Sequence, residues 1–184
     1  MRSIAKYLFD RSVGHLIGNA LVYFFDDPMF STTKYNDQII AYLNKDIDDS
    51  FRQCSQEALD LIEETNPIMG RVVSKNLKII LGQRPKSKQW LAKYFLNKDM
   101  CTINWNGIEE RSHSARIQIL AGVIVHEAYH GECYKLFGWK AYNLKPCERI
   151  CRNRESRILN QFILLNSDDD ISELSDRINY LEAI

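Results

Sequence analysis

His126, Glu127 and His130 are the residues of this 184-residue chain whose types and spacing can do chemistry. They stand in the order His-Glu-x-x-His at the end of an uncharged run, residues 117–125, whose only polar side chain is Gln118. Each residue of an α-helix turns the chain by about 100°, so side chains four apart stack on one face. Two imidazoles placed that way come within reach of one ion. Neutral imidazole suits zinc, and a glutamate beside the first histidine stands where it can take a proton from a water that the ion activates. These residues predict a buried helix carrying one zinc ion and hydrolytic chemistry.

The rest of the chain must position that helix. Its length suits a single domain with a continuous core. Hydrophobic residues make up 45% and charged residues 26%, and the formal net charge is zero. That balance offers no basic field for nucleic acid or an anionic membrane. No stretch approaches the roughly 20 apolar residues of a membrane span. Five cysteines at 54, 101, 133, 147 and 151 are an odd, scattered set, which reads as free thiols in a reducing compartment. Asp10, Arg11 and His15 interrupt the N-terminal apolar residues, so a secretory signal is not expected. The expectation is a cytosolic protein, with export by a route lacking a cleaved signal left open.

Helical spacing runs over residues 3–25 and ends at Asp26-Asp27-Pro28. Residues 30–35 read as a loop, and 36–65 as one long or two shorter helices. Asn66-Pro67 and Gly70 break that region. Residues 77–81 and 100–105 read as strands, separated by a turn at 82–85 and a short helix over 87–97. Ser112 or Ser114 can cap the helix that carries the histidines, and Gly138 can stop it near Phe137. Pro146 opens a further helix, and three aspartates at 168–170 suit the start of a last one. The expected fold is α+β and mostly helical, with a sheet of two to three strands packed with the histidine-bearing helix. One domain spans 1–184: a helical part over 1–66, a core over 71–165 and a C-terminal helix over 168–184.

The segment around the histidines resembles the signature of the zincin metallopeptidases. Val123 three residues before the first histidine, and the uncharged Ile124, Ala128, Tyr129 and Gly131, follow that family's pattern. Glu132 departs from it, being charged where the family carries an apolar residue. The resemblance covers about ten residues closely. It implies one zinc held by His126 and His130, with Glu127 as general base acting on a protein or peptide substrate.

In the gluzincin branch the resemblance implies a third ligand, a glutamate on the following helix. Glu148 and Glu155 are the candidates, seven residues apart and so on nearly the same helical face. His130 lies seven residues before its helix ends. An antiparallel partner starting at Pro146 therefore draws level near Asn153, which favours Glu155 over Glu148. Cys133 also lies toward the histidine face, and a His/His/Cys set is sound zinc chemistry. His15 and His113 read as ordinary helical residues. Asp46, Asp48 and Asp49 lack the glycine and terminal glutamate of a calcium loop. Tyr134 and Tyr142 are of a type that can donate to an oxyanion, though nothing in the sequence positions them.

Two readings follow. One is a zinc metalloprotease cleaving a protein substrate, of a specialised or effector type. The other is a non-catalytic helical interaction domain, with zinc absent or closed in by a fourth protein ligand from Cys133, Cys147 or Cys151.

Overall fold

The histidine-bearing helix is the centre of the molecule. A computed structural model describes residues 30–43, 47, 49–85, 91–95, 99–138, 145–165 and 171–183. The helix expected over 3–25, with His15, lies outside them, as do Asp46, Asp48 and Tyr142. In chain order the elements are β1 (Phe30–Tyr35), β2 (Gln38–Leu43), α1 (Asp49–Thr65), α2 (Pro67–Asn76), β3 (Ile79–Gln83), β4 (Ala92–Phe95) and β5 (Met100–Asn104). A 3-10 turn (Trp105–Gly107) then leads to α3 (His113–Phe137), α4 (Lys145–Leu165) and α5 (Ile171–Ala183).

Among the described residues the strands form one mixed sheet of five in the order β1-β2-β3-β5-β4, rather than the two or three expected. β2, β3 and β5 run parallel, while β1 and β4 are antiparallel at the two edges. The register sets Ile40 beside Ile80, Ile80 beside Cys101 and Cys101 beside Tyr94, a buried row that enters the core. The strands at 79–83 and 100–104 fall where β-branched residues indicate them.

Three expectations change. Residues 30–35 are a strand, not a loop, and 38–43 are its hairpin partner, not helix. The two are joined at Asn36-Asp37, with Asn36 at φ 50. A two-residue turn of this kind needs positive φ, which asparagine tolerates. The third change is β4, which stands where a short helix was expected over 87–97. The aromatic and aliphatic residues there satisfy either period, and pairing with β5 decides for strand.

Asn66 and Pro67 break the chain as expected, but they start a helix. The Asn66 side chain accepts from the Met69 amide at 3.2 Å, and Pro67 takes the first turn, where its missing N–H costs nothing. The helix continues through Gly70 into residues read from sequence as mixed. α3 is capped by Ser112, whose hydroxyl accepts from Ala115 N, and ends at Gly138 with φ 75. That left-handed position favours glycine.

Buried residues occupy almost every position of α3 from Gln118 to Ala128. α1, α2, α4 and α5 surround it together with strands β4 and β5. Trp105 and Phe51 meet edge to face at 5.3 Å beneath the sheet, both fully buried. No helix among the described residues is long and apolar enough to cross a membrane.

Candidate metal centre

α3 and α4 pack side by side, and the site lies where they face each other at the floor of a cleft of about 1440 Å³. Gly122 sets how closely they approach. A Cβ there would stand 2.9 Å from Leu159 Cδ2 and 3.4 Å from Glu155 Cγ, so a larger residue would push α4 away. The absence of a side chain at Gly122 lets Glu155 reach the histidine pair.

His126 and His130 turn their Nε2 atoms toward each other at 3.1 Å. Both residues are buried. Glu148 approaches from the cleft side, with one oxygen 3.6 Å from His126 Nε2 and the other 3.4 Å from His130 Nε2. Four lone-pair atoms thus converge on one point. Two zinc-bound nitrogens about a tetrahedral centre lie roughly 3.3 Å apart, given the usual bond length near 2.05 Å. The donor types and spacing fit a zinc ion.

Glu155 sits on the opposite side of the His126 ring. Its Oε2 lies 2.8 Å from Nδ1, and its Oε1 accepts from Arg177, Nε at 2.8 Å and Nη2 at 2.7 Å. Glu155 is completely buried. A carboxylate held by Arg177 can only accept, so it draws the His126 proton onto Nδ1 and leaves the Nε2 lone pair facing the cleft. Burial pulls the His126 pKa down, but the hydrogen bond to Glu155 and the nearby carboxylates outweigh it and leave it raised.

Glu127 is buried beside the pair and lines the cleft. Burial raises its pKa, against the opposing pull of His126 and His130. Glu148 moves the other way, to about 2, because its hydrogen bond with His130 leads and His126 and Arg152 assist against burial. Arg152 Nε donates to Glu148 at 2.9 Å and fixes its carboxylate.

The structure therefore brings together His126, Glu127, His130 and both candidate third ligands but sets the two candidates on different atoms. Glu155, favoured from helix depth, meets Nδ1. Glu148, the other candidate, meets the Nε2 pair. The helices are offset so that His130 is level with the first turns of α4, earlier than a count from Pro146 gives.

The cysteines also gather here. Cys151 contributes a sulfur within 4.8 Å of ring nitrogens of His126 and His130. Cys133, Cys147 and Cys151 form a second group of three sulfurs, all within 4.8 Å of one another. Cys147 Sγ lies 3.8 Å from His130 Nδ1. Cys133, the cysteine expected to complete a His/His/Cys set, belongs to the sulfur group, and Cys151 is the one beside both imidazoles. His113 is half-exposed, 3.1 Å from Glu57, at the far end of α3. Tyr134 does not line the cleft.

Two residues of the site were missed from sequence. Arg177 stands in α5 between the buried Leu174 and Ile178, and a lone cation there was the available signal. Tyr94 lines the cleft from β4, donates to Asn76 O at 3.2 Å, and touches the position a Gly131 Cβ would fill. No sequence pattern joined it to α3. The charged Glu132 has its own explanation: Lys75 and Asn76 Nδ2 donate to it at 3.1 and 2.9 Å, outside the metal site.

The chain matches no protein-family model, no curated protein and no solved structure.

Proposed function

We propose that the chain is a zinc metallopeptidase, with His126, His130 and Glu148 holding the ion and Glu127 acting as general base. The observation that carries this reading is the convergence of two Nε2 atoms and one carboxylate on the cleft side, with a buried carboxylate beside them. Glu148, not Glu155, is the third ligand in this reading, because a ligand must share the point the Nε2 atoms face. Glu155 and Arg177 hold His126 in the tautomer that keeps its Nε2 lone pair available.

A bound zinc would polarise a water molecule and lower its pKa toward neutrality. Glu127 would be the group placed to take the proton of a water attacking a carbonyl and to pass it to the leaving amine.

A peptide substrate is supported by β4. This strand is at the sheet's edge, and Ala92, Lys93 and Tyr94 lie along the cleft. At about 1440 Å³ the cleft they wall has room for a peptide segment. Lys145, Arg149 and Arg157 line the opposite wall, so the charge favours segments carrying acidic residues.

The second reading is a closed, non-catalytic zinc site in an interaction domain, which the nearness of Cys151 to both imidazoles supports. Glu127→Gln separates the two. In the peptidase it keeps its zinc but loses about 10²–10⁴-fold in cleavage of an acidic peptide library. Undiminished cleavage by the variant overturns the mechanism, and a sulfur among the zinc neighbours favours the closed site.

A further inference from the structure

The three cysteines of the α3–α4 interface are unused by the metallopeptidase reading, on which the following rests for its first site. Cys133 comes from α3, while Cys147 and Cys151 lie one turn apart on α4. Their exposures are 2%, 3% and 0%, so all three are buried. They form a cluster distinct from the main core, with the partly buried Tyr129 and Ile150 packed against it. The guanidinium of Arg154 covers the Tyr129 ring at 5.3 Å.

The main core also holds Cys54 and Cys101 among its aliphatic and aromatic residues, but among the described residues neither belongs to a group of three sulfurs. Three thiols meeting at one point is the donor set of a thiophilic cation. With metal–sulfur bonds near 2.3 Å, the sulfurs of such a site lie roughly 3.8–4.0 Å apart, inside the observed spread.

We propose that Cys133, Cys147 and Cys151 form a second metal site, taking a soft cation such as Cu(I), Zn(II) or Cd(II) through three thiolates. The three thiols release their protons to solvent as the cation enters. His130 links this site to the first. Were its Nε2 committed to an ion in the cleft, its Nδ1 would carry the proton and face Cys147 Sγ, 3.8 Å away, and a metal-bound thiolate would still accept that hydrogen bond. Cys147 would thereby do for His130 what Glu155 does for His126.

The test is cadmium titration of the fully reduced, metal-free chain, beside His126→Ala, which disables the first site without touching a sulfur. One equivalent should produce the thiolate-to-cadmium charge-transfer band in both proteins. Cys133→Ser should weaken cadmium binding in that band by more than about 100-fold, beyond what loss of an outer hydrogen bond costs. Should that variant fail to fold, X-ray absorption on the unaltered chain with one cadmium counts three sulfur neighbours. The proposal is overturned by absence of the band. It is also overturned by a band that His126→Ala removes and Cys133→Ser retains, which would assign the sulfur to the histidine site through Cys151. Loss of zinc chemistry at His126 leaves this outcome unchanged, so the two sites fail separately.

Discussion

Glu155 and His126 form a buried hydrogen bond of 2.8 Å to Nδ1, and Arg177 holds the other oxygen of the same carboxylate. This chain of three residues ties α3, α4 and α5 together at the site. It predicts that Glu155 matters more to stability than to metal identity. Glu155→Ala leaves a largely buried guanidinium without its carboxylate and should cost about 3–5 kcal/mol in denaturant unfolding. Glu155→Gln should keep its zinc with affinity lowered about 10–100-fold, as for a ligand's hydrogen-bond partner. Complete loss of zinc from the Gln variant would make Glu155 a direct ligand.

Glu148 should behave in the opposite way. It is partly exposed, and its main partners are the two imidazoles and Arg152. Glu148→Gln should change unfolding free energy by less than about 1 kcal/mol in the metal-free chain. Zinc affinity should fall by more than the roughly 100-fold limit for an outer partner. Isothermal titration with zinc on both variants reads the contrast directly.

Gly122 predicts a packing effect reported at the site. Gly122→Ala places a methyl 2.9 Å from Leu159 Cδ2, so α4 must shift. Overpacking of this kind costs about 1–3 kcal/mol. Because Glu155 Cγ is the next neighbour, the variant should also weaken zinc binding, although it alters no polar group. Wild-type stability and affinity in this variant would show that the α3–α4 contact does not set the site.

Glu132 gives a pH dependence. Hydrogen bonds from Asn76 and then Lys75 lower its pKa from the ordinary 4.5. The unfolded chain therefore takes up this proton first as the solution is acidified. The stabilisation is fully present above about pH 4.5 and is lost as pH falls through the lower folded value. Glu132→Gln should cost about 1 kcal/mol at neutral pH. The gap to wild type should close toward acid, as urea unfolding across pH 2–7 would reveal. A gap that stays constant contradicts this assignment.

The histidine-bearing helix was legible because its signals are local. The cap at Ser112, the apolar run and the stop at Gly138 all lie within the segment they define. The β1–β2 hairpin was not, because Ile39, Ile40, Leu43 and Ile47 also fit a helical period and only pairing with β3 decides. Both glutamates of the site were recognisable on one face of α4. Which of them meets Nε2 depends on ring orientation and on the offset between two helices, and neither is written in residue spacing. Arg177 and the three-sulfur cluster depend on contacts between α3, α4 and α5 that only the assembled fold creates.

The most direct test of a zinc centre at His126 is elemental analysis of untagged protein beside His126→Ala. Wild type should carry one more equivalent of zinc per chain than the variant, whatever the sulfur cluster holds. Equal metal content in two folded proteins would contradict the metallopeptidase account at its root.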